Sequence, residues 1–233
     1  MGSLVSPALR SRVRAAAEPL ARTLGRAGLT PNALTLIGFG IAVLAGLIAA
    51  FDWWILAGLL VAFGALFDLF DGALARATGS ANRLGAFMDS VFDRAGEAAV
   101  YVGVAAGCLA AGFDAGAFLA VTALASAVMV SYTRAKSESL GFTNGSGMAN
   151  VGLAPREVRT VILVVGLVLT GLAGGVNSPF LYMEGVDLPF GLFFDTKLGR
   201  EWLQLTLGLI TVLATLTTIQ RIVHVHRQAN KEQ

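Results

Sequence analysis

The chain has 233 residues, 55% of them apolar and 14% charged, with a formal net charge of +2. A soluble domain carries about a quarter charged residues; long apolar runs recur over the whole length here, so the bilayer is the expected solvent. The small net charge offers nucleic acid no electrostatic footprint. The single cysteine, Cys108, excludes both an intramolecular disulfide and a cysteine-based zinc cluster. Cys108 sits in an apolar run and is expected to pack rather than react.

Residues 8–27 read as an amphipathic helix. Leu9, Val13, Ala16, Leu20 and Leu24 recur at steps of three and four, and Arg10, Arg12, Arg14, Arg22 and Arg26 occupy the rest of the circumference. Such a helix is expected to lie in the interface, basic side toward anionic headgroups. No cleavable apolar leader is expected before it. Ser6 and Pro7 are its expected cap and first residue, and the internal Pro19 is expected to kink or split it. Thr30 and Pro31 then cap and open a new helix.

Six membrane helices follow, expected over 32–51, 54–77, 83–111, 115–140, 157–175 and 200–223. Each has an apolar core near the roughly 20 residues that cross about 30 Å of hydrocarbon. The chain thus divides into an interfacial segment, 1–30, and an all-α six-helix membrane domain, 31–233. With the N-terminus in the cytoplasm, all of the 17 basic residues except Lys197 and Arg200 fall on or near the cytoplasmic side. Both termini are then cytoplasmic. The opposite-side turns, around Phe51–Asp52 and Gly112–Asp114, are short. The longer loop 176–199 carries Glu184, Asp187 and Asp195. His224 and His226 lie in the basic tail, where solvent exposure is expected.

The second and third spans depart from membrane composition. Asp68 and Asp71 lie near the end of one, and Asp89 and Asp93 near the start of the next. Spacings of three and four put each pair on one helical face, and the short turn between the spans makes the two helices antiparallel neighbours. Four carboxylates at one interface repel one another unless water, cations or arginines intervene. Hard oxygen ligands suit Mg²⁺ or Mn²⁺, and two such ions fit two-metal phosphoryl chemistry. Pairing with Arg76, Arg83 and Arg94 would also satisfy the charges, and a proton or cation pathway is a further reading. Gly72, Ala75 and Gly85 leave room for a bulky ligand at the backbone, and Arg76 is placed to meet an anion.

Asp68-x2-Asp71-Gly72-x2-Ala75-Arg76-x8-Gly85-x3-Asp89-x3-Asp93 resembles the signature of the CDP-alcohol phosphotransferases at every fixed position. The likeness extends to the interfacial helix, the Thr-Pro-Asn opening of the first span and the six spans. The resemblance implies that Asp68, Asp71, Asp89 and Asp93 hold two divalent cations that clamp the pyrophosphate of CDP-diacylglycerol. It implies that Asp93 is also the general base, and that Gly72, Ala75, Arg76 and Gly85, with Asn32, Thr35 and Asn82, contact the CDP-lipid. It further implies a homodimer.

Arg134, Lys136, Arg156, Arg159 and Arg221 fall at the cytoplasmic ends of the last three spans. Positive-inside topology alone accounts for such residues; a phosphate site would also need them. The stretches 131–138, 156–159 and 220–221 are similar to those of the phosphatidylinositol phosphate synthases within the family, although Arg134 stands where lysine is usual. That resemblance implies an acceptor inositol phosphate, its phosphate held by Arg134, Arg159 and Arg221; Arg156 is a candidate beside them by its place in the same basic cluster. Glycerol 3-phosphate is the alternative acceptor.

Overall fold

The computed structural model describes residues 7–142, 151–176 and 196–230, without the side chains at 7–11, 13–15 and 196. Ser6, Glu184, Asp187, Asp195 and Lys231 lie outside the described residues, as do the side chains of Leu9, Arg10, Val13 and Arg14. The described residues form seven α-helices and no strand: α1 (Pro7–Arg26), α2 (Pro31–Ala50), α3 (Trp54–Ala77), α4 (Arg83–Ala110), α5 (Asp114–Ser139), α6 (Arg156–Leu172) and α7 (Thr196–Ala229). Four of them, α2, α3, α5 and α7, are long and apolar enough to cross a membrane. α4 is 28 residues long but carries Asp89, Asp93, Arg94 and Glu97, and α6 has only 17 residues.

Local chemistry sets the helix boundaries. Thr30 has extended backbone angles, and its hydroxyl accepts from Ala33 N at 3.2 Å, with Pro31 at the first helical position. Asn82 caps α4 in the same way, accepting from Gly85 N at 2.8 Å. α6 stops three residues short of the expected end because Gly174 and Gly175 enter the left-handed region, at φ 101° and 77°. α7 begins earlier and runs further than its apolar stretch, since nothing in the polar tail breaks a helix. α1 continues through Pro19 as one helix rather than two. A proline removes a single donor, and beyond it the Thr23 hydroxyl donates to Pro19 O at 3.0 Å.

The helices close into a ring. Each packs on two neighbours in the order α2, α3, α6, α7, α5, α4 and back to α2, while α1 lies against α3. This corrects the expectation that the two aspartate-bearing helices are packed neighbours. α3 and α4 barely touch, and α2 sits between them. The reason lies in α2's small residues. A Cβ added to Gly103 would sit 1.9 Å from Gly46 O, and one added to Gly46 would sit 2.4 Å from Ala99 O. Gly38 and Gly64 similarly bring α2 against α3. Backbone-to-backbone approach of this kind is how membrane helices associate without a hydrophobic drive.

Small side chains fill the interior and large ones cover the outside. Ala45, Ala49, Ala57, Ala120, Ala123 and Ala127 are buried with Trp54, Tyr101 and Leu207, and Cys108 is fully buried, as expected. Leu47, Leu59, Phe118, Leu205 and Val212 face outward, each at least half exposed. α1 divides its apolar residues the same way. Ala17, Ala21 and Leu24 pack with Leu34, Ala73 and Leu74, while Ala16 and Leu20 of the expected stripe stay exposed. The protein-facing edge of α1 is therefore its alanine edge, rotated from the leucine stripe.

The end of the bundle remote from the aspartates is tied by polar groups. Asp52, at φ 66°, accepts from Trp54 Nε1 and from Val176 N. Arg200 donates to Val176 O and Ala111 O and lies over the Phe113 ring. Phe51 and Trp53 project from the α2–α3 turn, 74% and 63% exposed, as aromatic side chains do at a membrane interface.

Replacing Gly103 by valine is expected to force α2 and α4 apart and to destabilise the fold by about 1–3 kcal/mol or more. Gly40→Ala, where an added Cβ meets nothing within 4 Å, is expected to be nearly silent. Thermal unfolding of both variants in detergent, followed by size-exclusion chromatography, checks the pair.

Candidate active site

The site lies where the C-terminal part of α3 and the N-terminal part of α4 diverge around α2, with the start of α6 facing them. Asp68 and Asp71 come from α3, and Asp89 and Asp93 from α4. Asp71 lies within electrostatic reach of Asp68 and Asp89, and Asp93 within reach of the same two. All four carboxylates therefore share one electrostatic neighbourhood despite the helix between their two carriers. Asp71 is 4% exposed. The Thr35 hydroxyl, from α2, donates to Asp71 Oδ2 at 2.6 Å and orients it.

One guanidinium joins the two helices. Arg156 Nη2 lies 2.6 Å from Asp68 Oδ2, and its Nη1 lies 2.6 Å from Asp93 Oδ1. Arg94 is 3.5 Å from Asp93 and donates to Glu97 Oε2 at 3.0 Å. Arg76 and Arg83, the other arginines of the turn, are exposed and pair with no carboxylate among the described residues. The counter-charge thus comes mainly from α6, not from the turn.

The fit to a divalent cation rests on donor chemistry and charge. Among the described residues no three acidic, histidine or cysteine side chains are gathered, as they stand, to hold one ion. Arg156 sits where Asp68 and Asp93 would meet. Asp68, Asp71, Asp89, Asp93 and Glu97 outnumber Arg94, Arg156 and Arg159 by two charges. Hard oxygens with a surplus of negative charge match a hard divalent cation.

Around the mouth, Asn32 Oδ1 approaches Gly85, 3.4 Å from where a Cβ would lie, and Asn82 Oδ1 is at 3.5 Å. Arg76 folds back over Gly72, its Nη1 3.3 Å from the position a Cβ would take. Asn32 and Asn82 thus approach Gly85 at the start of α4, and Arg76 covers Gly72 near the end of α3, with Ala75 beside Arg76 in the chain. Asn82 also has a plain structural use as the α4 cap.

The four arginines of the second half do not form a single group. Arg159 is 1% exposed. Its Nε and Nη2 donate to Glu97 Oε1 and Oε2 at 3.0 and 2.9 Å, and its Nη1 to Ala154 O at 3.1 Å. Arg221 is buried and donates to Val151 O at 3.1 Å and to Val130 O. Arg134 is exposed and pairs with Glu138 at 2.8 Å. Arg221 lies within electrostatic reach of Arg134 and Arg159, so these three share a basic field. Arg156 stands apart from them, at the aspartates.

Glu97 is the residue that sequence reasoning missed. It follows Asp89 and Asp93 at the same four-residue step, and that periodicity was the signal available. Tyr101 is the next step. It is 1% exposed, and its hydroxyl has no hydrogen-bond partner among the described residues. Asp93, Glu97 and Tyr101, with Thr35, Asp68 and Arg156, line a narrow cleft between α2, α3, α4 and α6.

Comparison with known proteins bears on the family and the fold. The family described as CDP-alcohol phosphatidyltransferase matches residues 28–195. A phosphatidylinositol phosphate synthase of Streptomyces avermitilis is 37% identical over 164 residues, 70% of this chain and 57% of the relative. One from Cutibacterium acnes is 34% identical over 161 residues, 69% of this chain and 67% of the relative. The Streptomyces match thus takes in little more than half of that relative's length. Among solved structures, Mycobacterium tuberculosis phosphatidylinositol phosphate synthase PgsA1 with CDP-DAG bound superposes with a TM-score of 0.70 at 26% identity, covering 90% of this chain and 92% of that one. The same protein in complex with manganese and citrate gives 0.69 at 27%, covering 90% and 88%. The motif spanning α3 and α4, the apolar helices and the extent of the family match together make this chain a multi-pass membrane protein of the CDP-alcohol phosphatidyltransferase family.

Proposed function

We propose that the chain transfers a phosphatidyl group from CDP-diacylglycerol to inositol phosphate, giving phosphatidylinositol phosphate and CMP. The observation that carries this reading is the meeting of four aspartates from two helices beside a basic field made by Arg134, Arg159 and Arg221. Two chemistries are thereby adjacent: a carboxylate set suited to a cation-bound pyrophosphate, and guanidiniums suited to a second, separate phosphate. The relatives named phosphatidylinositol phosphate synthase and the neighbour solved with CDP-DAG support the same substrates.

In this reading Asp68, Asp71, Asp89 and Asp93 hold Mg²⁺ or Mn²⁺, two ions in all; a neighbour in complex with manganese supports a divalent metal. Bound there, the ions would offset charge on the pyrophosphate as its bond breaks. Thr35 fixes the Asp71 carboxylate through its hydroxyl. Gly72, Ala75 and Gly85 leave clearance for the nucleotide, and Asn32, Arg76 and Asn82 border it. Asp93 takes the proton of the acceptor hydroxyl. The freed oxygen attacks the lipid-side phosphorus, and the bond from that phosphorus to the CMP oxygen breaks, so CMP carries away the electron pair. Arg134, the exposed member of the basic field, meets the acceptor phosphate, with the buried Arg159 and Arg221 adding positive charge from behind it and Arg156 from the aspartate side.

The same reading takes α4 and α6 as membrane-crossing along with the four more apolar helices, giving six spans over 31–233. Segment 1–30 then lies at the interface, where the exposed Leu20 meets lipid and the arginines meet headgroups. The protein sits in the cell membrane as a homodimer, with both termini cytoplasmic.

Purified protein given CDP-diacylglycerol, Mg²⁺ and either L-myo-inositol 1-phosphate or glycerol 3-phosphate is expected to release CMP with the former. Release only with glycerol 3-phosphate would move the assignment to phosphatidylglycerophosphate synthesis. Metal-independent ion flux through reconstituted vesicles, with no CMP release, would make it a transporter instead. Asp93→Asn is expected to bind CDP-lipid and to lose turnover by at least about 10²-fold, the usual scale for a general base. Near-normal turnover in that variant removes Asp93 from the role. Arg221→Met is expected to raise KM for the acceptor phosphate and leave KM for CDP-diacylglycerol unchanged, measured by initial rates of CMP release.

A further inference from the structure

We propose that Arg156 is a built-in competitor of the divalent metal for Asp68 and Asp93, so that metal binding at the site requires this guanidinium to leave. The inference rests on the metal site proposed above and assigns Arg156 a role toward the ions rather than toward the acceptor alone.

Three observations carry it. First, Arg156 spends both terminal nitrogens on the two aspartates, Nη2 to Asp68 and Nη1 to Asp93, each at 2.6 Å. One oxygen of each carboxylate is therefore already taken up by the guanidinium. A divalent ion bound at about 2.0–2.6 Å from the same oxygens occupies the space that the guanidinium plane fills, so the two occupants exclude each other. Second, Asp68 and Asp93 come from α3 and α4, helices that barely touch. A cation between these aspartates is therefore what spans the gap, and either a guanidinium or a metal does so. Third, Arg156 opens α6, directly after the Pro155 cap. A cation in the first turn of a helix meets the positive end of the helix dipole, so this position is held by the aspartates and not by its own helix. Its side chain keeps 27% exposure, so it is not sealed in place. Arg159, three residues on, differs on each point. It is fully enclosed and held through three nitrogens by Glu97 and Ala154 O.

The test is Mn²⁺ binding to the full-length protein in detergent or nanodiscs, without substrate, read from the electron paramagnetic resonance signal of free aqueous Mn²⁺. Wild type, Arg156→Gln, Arg156→Lys and Asp68→Asn are compared. Arg156→Gln is expected to bind Mn²⁺ about tenfold more tightly than wild type, which corresponds to about 1.4 kcal/mol. Arg156→Lys is expected to fall between, since one ammonium cannot hold both carboxylates in the two-nitrogen fork. Asp68→Asn is expected to bind more weakly than wild type. In thermal unfolding, Arg156→Gln is expected to melt below wild type without Mn²⁺ and to regain the difference when Mn²⁺ is added. A variant that folds only when Mn²⁺ is present supports the competition equally.

Unchanged or weaker Mn²⁺ affinity in Arg156→Gln, with Asp68→Asn still weakened, overturns the competition and leaves the metal site standing. If Arg156→Gln yields no folded protein even with Mn²⁺, Arg156→Lys decides: tighter binding than wild type supports the proposal, and equal or weaker binding overturns it. Absence of Asp68-dependent Mn²⁺ binding in wild type overturns the metal site and the competition together.

Discussion

Carboxylates at the edge of an apolar bundle must have positive charge between them. Two unit charges 4 Å apart interact by about 4 kcal/mol at an effective dielectric near 20, several times thermal energy. Asp68, Asp71, Asp89 and Asp93 lie in one field, so a cation among them offsets a repulsion that the packing of α3 and α4 on α2 otherwise has to bear. Arg156 supplies one by reaching from α6 to both carriers. The packing of α2 fixes how wide the gap is. Its glycines let α3 and α4 approach it from opposite sides without closing on each other. The spacing of the acids is thus a property of α2, which contributes no acid itself.

The rest of the bundle divides by charge around that gap. The acidic side belongs to α3 and α4 and the basic side to α5, α6 and α7. Glu97 ties one to the other, since it holds Arg159 across the interface while holding Arg94 on its own helix. Arg159 is enclosed at the centre of this arrangement, where a free guanidinium could not be tolerated. At the remote end Asp52 and Arg200 fasten the turns. The two ends differ in kind. The remote one is closed by side-chain hydrogen bonds to backbone, whereas the near one opens a cleft between α2, α3, α4 and α6.

Much of this was legible in the chain. Thr30–Pro31 marked the start of α2 because a hydroxyl cap and a donor-free residue suit a helix opening, and the structure shows that cap. The i, i+3 and i, i+4 spacing put the aspartates on single faces, and the motif named the family. What stayed hidden depends on which helices meet. A short turn between α3 and α4 reads as side-by-side packing; only the backbone contact between Gly46 and Gly103 reveals that α2 intervenes. Arg156 read as one of a basic set because its target lies 88 residues away from it in sequence. On α1 the periodicity located the apolar stripe but not which residues meet the protein: Ala17, Ala21 and Leu24 pack on the bundle while Leu20 stays exposed.

That separation of 88 residues also sets an order of events at the ribosome. Chains lengthen at about 5–20 residues per second, so Asp68 leaves the decoding centre roughly 4–18 s before Arg156 is made. α4 is complete at Ala110, 46 residues before Arg156, so in the later part of that interval α2, α3 and α4 can assemble by their glycine contacts, carrying all four acids without the side chain that later spans them. Dissolved cations and water are the partners to hand for the nascent hairpin. The bivalent cradle is therefore older, within the life of each molecule, than the arginine that closes it.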